Sequence, residues 1–236
     1  MNYDNVIAEY SAQVNELCAK YESLLFEDVH GPLLRQLPEL SERGGTVLDI
    51  GCGSGRDAAW FAQHGYDVVA VEAAPTMLAD AKRRHPELNI NWQQDSLPDL
   101  KKTLRLGLSF DLILLSAVWM HVAPDDRSRV FRKLVSLLKP GGMVAISLRH
   151  GPHQNVKFVH PVSVQELESL AIQRGLTLSL VSTGVDRLGR PDVRWETVIL
   201  RLPDDGTGAL PLLRHIIVND NKSSTYKLDC SEHSCV

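Results

Sequence analysis

Apolar residues follow two rhythms along this chain. Between residues 5 and 26, Tyr10, Val14, Leu17, Tyr21 and Leu24 recur at three- and four-residue steps, the stripe of a helix. A second, shorter helix is expected over Val29–Leu37, broken by Pro38. From Thr46 onward apolar, β-branched runs take over, at 46–50, 67–71, 89–92, 110–116 and 143–148. Helical patterns at 57–64, 75–84 and 125–138 lie between them. Gly65 follows the first of these helices and Pro75 opens the second, the usual stop and start residues. Strands alternating with helices predict a parallel sheet covered on both faces.

Beyond residue 160 the rhythm changes. Ser163-Val-Gln-Glu166 has the spacing of a capping box, and the helix it opens is expected to end at Gly175. Leu176–Val181 and Val193–Leu202 read as an antiparallel hairpin on the sheet edge, joined by a polar loop with Gly184, Gly189 and Pro191. Residues 203–210 have the composition of a linker. Leu210–Val218 offers one more element and 219–236 is polar and unpatterned, so the chain reads as opening a further segment that is cut short.

The chemistry concentrates where the first apolar run ends. Thr46-Val-Leu-Asp-Ile-Gly-Cys-Gly-Ser-Gly55 carries Asp49, then Gly51, Gly53 and Gly55, just before a helix. Glycine has no Cβ, so such a junction brings bare backbone against a ligand. A dinucleotide fold needs its third glycine three residues after the second, and Arg56 stands there. No Lys-Ser/Thr pair follows, which excludes a P-loop. Glu72 closes the next run, Asp67-Val-Val-Ala-Val-Glu72, where an acid is well placed to accept both hydroxyls of a ribose. Together these residues describe a site for a nucleoside without phosphates.

Val47–Gly55 resembles the first motif of the class I S-adenosylmethionine-dependent methyltransferases. Glu72 resembles that family's ribose-binding acid, and Asp95 in Gln93-Gln94-Asp95-Ser96 the residue that meets the adenine amino group. Phe110–Ser116 and Leu138–Ser147 look like the fourth strand and the Pro-Gly-Gly turn into the fifth. The resemblance spans roughly residues 40 to 202 and implies a Rossmann-like α/β fold. Its sheet is expected to be seven-stranded and mostly parallel, with an antiparallel edge strand and helices on both faces. Residues 1–40 then supply helices that cover the cofactor site, 41–202 the methyltransferase domain, and 203–236 a linker and tail. The implied cofactor is S-adenosyl-L-methionine, with Asp49, Gly51, Gly53, Gly55, Arg56, Glu72, Ala73, Met77, Asp95, Ser96 and Ser116 as its candidate contacts. Some of these also admit plainer readings: Asp49 as a helix cap, Arg56 as helix surface, Met77 as core, Asp95 with Ser96 as an Asx turn.

Composition narrows the class. The 236 residues are 44% hydrophobic, enough for one full core, and a net charge of −4 gives no general pull toward nucleic acid or anionic lipid. Four scattered cysteines, Cys18, Cys52, Cys230 and Cys235, suit a reducing cytoplasm. Met1 leads into acidic rather than basic residues, so no signal peptide is expected, and the longest apolar run, Leu112–Met120, is too short to cross a bilayer. Cys230, His233 and Cys235 lack a fourth nearby ligand and fall short of a structural zinc site, so no metal is expected.

Residues after the fourth and fifth strands lie where open α/β sheets form their crevice. His121, Arg149 and His150 are the candidate catalytic residues, with Trp119 at the lip; the plain alternative is a structural histidine and a surface loop. A histidine suits proton removal and the arginine a substrate carboxylate or phosphate. An Asn/Asp-Pro-Pro-Tyr/Phe run, where amino-directed DNA and protein methyltransferases resemble one another, is replaced by Ser116-Ala-Val-Trp119. That favours transfer to an N, O, S or C atom of a small molecule over adenine in DNA, with tRNA or a protein side chain as open alternatives. The competing reading is a non-catalytic S-adenosylmethionine-binding regulatory module of a longer protein. Oligomeric state is open.

Overall fold

The computed structural model describes residues 3–37, 44–152 and 159–204. Three helices come first: α1 (Tyr3–Ala12), α2 (Val14–Glu22) and α3 (Phe26–Leu34). The single stripe expected over 5–26 is therefore two helices that part at Gln13. The α/β core runs β1 (Thr46–Ile50), α4 (Arg56–Gln63), β2 (Asp67–Glu72), α5 (Pro75–Arg84), β3 (Ile90–Gln94), α6 (Lys101–Arg105), β4 (Phe110–Ser116), α7 (Pro124–Ser136) and β5 (Leu138–His150). It closes with α8 (Val164–Gln173), β6 (Thr177–Val185) and β7 (Arg194–Arg201). Residues 205–236, including Cys230, His233, Cys235 and all but the first two residues of the expected linker, lie outside the described residues.

The seven strands form one sheet in the order β3-β2-β1-β4-β5-β7-β6. Pairing is parallel throughout β1 to β5, while β7 runs antiparallel to both β5 and β6, one position in from the edge. Side chains of a strand alternate between faces, so two cores form. Leu48, Ile50, Ile113, Leu115, Val144 and Ile146 pack with Phe131 and Leu134 of α7 and Leu167 of α8. Val47, Val68, Leu112, Leu114, Met143 and Ala145 pack on the other side with Phe26, Leu33 and Phe61. Burying a side chain such as Phe61 or Phe131 contributes about 1.5–3 kcal/mol.

Local signals explain most of the boundaries. Pro75 and Pro124 each sit at a first helical turn, and Gly65 and Gly175 follow helix ends with φ of +82° and +67°. The capping box is present: the Glu166 amide donates to Ser163 Oγ at 3.2 Å. The Pro-Gly-Gly segment is a bulge inside β5 rather than a turn before it. Phe110 faces Leu138 but Leu112 already faces Met143. At Gly142 an added Cβ would stand 2.9 Å from the Phe110 carbonyl, so glycine is required there.

Candidate functional site

A right-handed α/β unit leaves its crevice at the carboxyl ends of the strands, where strand order reverses. Here that point lies between β1 and β4, and a cavity of about 870 Å³ opens over it. Its floor is the Gly51–Ser54 turn, its walls are Glu72, Ser96, Ser116, His121 and Arg149, and Tyr10 and Tyr21 of α1 and α2 lie over it. The β6–β7 hairpin tip, from Asp186 to Asp192, closes the far end.

The three glycines serve different ends. All have positive φ: +72° at Gly51, +56° at Gly53 and +87° at Gly55. An added Cβ would reach 2.5 Å from Val118 Cγ2 at Gly51, and 2.7 Å from the Trp92 ring at Gly55. Those two positions let other parts of the protein pack close. At Gly53 the nearest atoms, of Tyr21 and Met77, are 3.6 Å or more away, so this is the glycine whose bare backbone faces the cavity. Gly55 itself is not on the cavity wall.

Glu72 ends β2 just above the turn. Its Oε2 accepts the Gly53 amide at 3.0 Å and its Oε1 accepts the Ala74 amide at 2.8 Å. Each carboxylate oxygen has a second lone pair, so the group can still accept two hydroxyls. Burial raises its pKa, opposed by the Ala74 and Gly53 amides. Met77 is buried beside Ala74 and Cys18, packed under Tyr10, Leu17 and Tyr21, and lines the cavity as well. Core packing and a ligand face are thus combined in one residue.

Asp49 lies deeper than the cavity wall. It is 1% exposed, on the sheet face that carries α4, and neither carboxylate oxygen has a full hydrogen bond among the described residues. Burial, reinforced by the neighbouring Asp57 charge, pushes its pKa well above the ordinary value. Asp57 is its opposite. Burial alone would raise it, but His30 at 2.9 Å and Arg56 Nε at 2.7 Å hold it below the usual carboxylate range. Arg56 is thereby committed to Asp57, and its Nη1 donates to the Tyr21 carbonyl at 3.3 Å. It fastens α2 to the turn while lining the cavity.

Asp95 lines the cavity, but its oxygens are already engaged. Oδ2 takes the amides of Lys102 and Thr103 and the Thr103 hydroxyl, at 2.8–2.9 Å, and Oδ1 takes the Ser96 amide at 3.0 Å. It caps α6, so any adenine contact is left to the second lone pair of Oδ1 or to Ser96. The side chain takes the next residue's amide and the start of α6 rather than the amide two residues on, so the Asx turn is not formed, while the cavity position is.

On the acceptor side the fourth strand ends in strain. Ala117, directly after Ser116, has φ +59°, held by its amide donating to Ser147 Oγ at 2.8 Å. A non-glycine residue there costs about 1–3 kcal/mol and marks functional sites. The tight turn at Trp119–His121 then sends the two rings apart. His121 faces the cavity, its Nε2 3.0 Å from the Tyr10 hydroxyl. Trp119 is not at the lip as expected. It is fully buried, edge-on to Phe131 and under the Arg127 guanidinium, 5.9 Å from the ring centre.

Strand alternation separates the other two candidates. Ser147 and Arg149 continue the face that opens into the cavity, with Thr197 and Trp195 opposite them on β7. His150 falls on the other face, where its Nε2 lies 2.7 Å from Glu196 Oε2. The structure does not bring it to the cavity, because adjacent strand residues point to opposite sides. Arg149 is 9% exposed and donates to the carbonyls of Gly151 and Pro152 at 3.3 and 2.7 Å. Among the cavity residues not singled out from the sequence are Ser147, Asp186 and Arg190. The i, i+4 spacing of the last two is the signal that was available, and their ion pair closes the hairpin tip.

A parallel sheet with an acid after its second strand, a glycine turn at the switch point and two walls of polar residues defines an enzyme-like site for a nucleoside-bearing ligand. Known proteins agree. Residues 47–142 match the family model described as "Methyltransferase domain". A ubiquinone biosynthesis O-methyltransferase of Coxiella burnetii is 30% identical over 172 residues, covering 62% of this chain and 69% of that protein. Among solved structures, 1,6-didemethyltoxoflavin-N1-methyltransferase of Burkholderia thailandensis, bound to its substrate and S-adenosylhomocysteine, superposes with a TM-score of 0.63 at 21% identity, over 84% of this chain and 88% of that one. Magnesium protoporphyrin IX methyltransferase of Synechocystis gives 0.55 at 16%, over 83% and 80%. At these identities the structural likeness concerns the fold. The chain belongs to the class I S-adenosylmethionine-dependent methyltransferases, and S-adenosylmethionine is its cofactor. The residues present fit it: the Gly53 backbone is bare toward the cavity, Glu72 keeps lone pairs for hydroxyls, and the buried Asp49 carboxylate lies under the turn with no full hydrogen bond among the described residues, the Ala58 amide acting on it only weakly.

Proposed function

We propose that this enzyme methylates a small molecule inside the cavity under α1 and α2, with the Tyr10–His121 pair receiving the acceptor's proton. The observation that carries the reading is the 3.0 Å contact of Tyr10 and His121 across the wall where Ser116, Ser147 and Arg149 converge. A cavity of about 870 Å³ has the size of a small-molecule site. The Coxiella relative, named for ubiquinone biosynthesis, and the toxoflavin enzyme, bound to 1,6-didemethyltoxoflavin, fit this reading. A net charge of −4 gives no footprint for nucleic acid. Two buried free thiols, Cys18 and Cys52, fit a reducing cytoplasm.

Bound S-adenosylmethionine supplies a methyl group already activated on a sulfonium, so the protein's task is alignment and exclusion of water. Gly53 and Glu72 would hold the nucleoside end, with Ala73, Met77 and Ser96 as further candidate contacts on the cavity wall. Tyr10 stands between the two halves: burial, then the Tyr21 and Glu72 charges, raise its pKa, while Arg149 lowers it. It stays a neutral phenol that orients the His121 ring. On methylation the proton released by the acceptor would pass to the His121 imidazole.

The test is turnover of S-adenosylmethionine with a panel of phenols, carboxylic acids, thiols and amines, products read by mass spectrometry. His121→Gln is expected to lower kcat by about 10²-fold or more on the active acceptor, with S-adenosylhomocysteine affinity held within about threefold. Tyr10→Phe lowers it less and steepens its pH dependence. Unchanged kcat in His121→Gln would remove the proton role; methylation confined to RNA or protein would remove the small-molecule reading.

A further inference from the structure

Arg149 is a buried charge at the cavity wall that the reaction just described does not use. It projects from the end of β5 into the acceptor end of the cavity while being nine-tenths buried. Taking a guanidinium out of water is costly unless an anion compensates it. Among the described residues it has no carboxylate partner; its hydrogen bonds go to two backbone carbonyls. A guanidinium carries five N–H donors, so most of its capacity remains.

The surrounding charges do not supply the missing partner. Asp186 is the carboxylate whose field reaches Arg149, but it is spent. It accepts from Arg190 Nε at 3.0 Å, Arg190 Nη2 at 2.6 Å and Trp195 Nε1 at 3.0 Å, besides two backbone amides. Arg190 and Asp186 cancel, and the acceptor end keeps the charge of Arg149. Glu72 belongs to the opposite end, bound to the turn. A buried cation left over at the wall of a cavity is a recognition element for an anion.

We propose that Arg149 pairs with an anionic group of the methyl acceptor, so that this enzyme takes small organic acids, carboxylates or phosphate esters, in preference to neutral molecules. The inference rests on the methyltransferase reading of the cavity and adds its substrate class. Two donors of one guanidinium facing two oxygens also fix the acceptor's orientation. A nucleophile elsewhere on the same molecule then lies toward His121 and Ser116.

The experiment uses the full chain saturated with S-adenosylhomocysteine, whose binding is first read by calorimetry. The Arg149 Nε–H resonance, assigned by its loss in Arg149→Lys, is followed while benzoate, phenyl phosphate or the uncharged benzamide is added. The expected result is saturation by benzoate or phenyl phosphate at a concentration about tenfold below that of benzamide or lower. The stronger of the two acids tells carboxylate from phosphate. In Arg149→Met the difference between acid and amide disappears, while S-adenosylhomocysteine affinity stays within about threefold. Equal affinity for acids and amide, or no saturable binding of either acid, overturns the inference. So does acid binding that occurs only before S-adenosylhomocysteine is added, which assigns Arg149 to the cofactor's own carboxylate. A folded wild type that takes no S-adenosylhomocysteine in the first step sinks the methyltransferase reading, and this inference with it, before any acid is tested.

Discussion

Gly53→Ala separates ligand binding from folding more cleanly than any other change in the turn. The residue has φ +56°, and a side chain in that conformation costs about 1–2 kcal/mol. Its new Cβ would sit 3.6 Å from Tyr21 and 3.8 Å from Met77, ordinary contacts that add no clash. For a domain of this size the loss amounts to a fall in Tm of about 2–8 °C. The same methyl group, however, stands on the cavity floor where backbone must meet the ligand. S-adenosylhomocysteine affinity is expected to fall by tenfold or more, read by calorimetry well below the melting transition. Gly55→Ala is the control. Its Cβ would be 2.7 Å from Trp92 and 3.1 Å from His85, so overpacking of about 1–3 kcal/mol adds to the same backbone cost. That variant should lose more stability than Gly53→Ala, and its affinity less, provided it folds. Wild-type affinity in Gly53→Ala would refute the assignment of that glycine to the ligand.

Two further outcomes follow from buried charges. Asp49→Asn is expected to raise the Tm of the ligand-free protein near pH 7 and to weaken cofactor binding. The Asp49 pKa is raised in the folded state, so its favourable contribution is complete below the unfolded value of about 3.9 and is lost as pH rises through the folded one. The advantage of Asn should therefore vanish in melts below about pH 4. Arg127→Ala should cost about 3–5 kcal/mol by urea unfolding, because it strands Glu166, at 2.7 Å, and frees the carbonyls of Val122 and Pro161 that the buried guanidinium ties together. A loss below about 1 kcal/mol would show that these bonds are replaced by water.

The sheet was legible because its strands are short β-branched runs bounded by glycine and proline, and because Asp49, the glycines and Glu72 fall at the ends of such runs. Five-residue α6 was not, since it is too short to show a period and is held by Asp95 rather than by its own pattern. The orientation of single residues was the weak point. Trp119 and His121 are two apart in a tight turn, and tertiary packing separates them: Trp119 lies against Phe131 and Arg127, and His121 meets Tyr10. Arg149 and His150 are neighbours on a strand, so placing both in one site contradicts the alternation of β5 itself. Arg56 was open between surface and ligand, and its answer lay in a partner, Asp57, that the glycine motif drew attention away from. Asp186 and Arg190 gained meaning only when the hairpin tip was seen over the cavity.

The central claim is that Glu72 and the glycine turn bind the nucleoside of S-adenosylmethionine. Calorimetric titration of S-adenosylhomocysteine into the wild type and Glu72→Ala tests it most directly. Two hydrogen bonds to a carboxylate are at stake, so the variant is expected to bind about a hundredfold more weakly or not at all, with its circular dichroism unchanged. Equal affinity in the two proteins, or no binding by a folded wild type, would contradict the account.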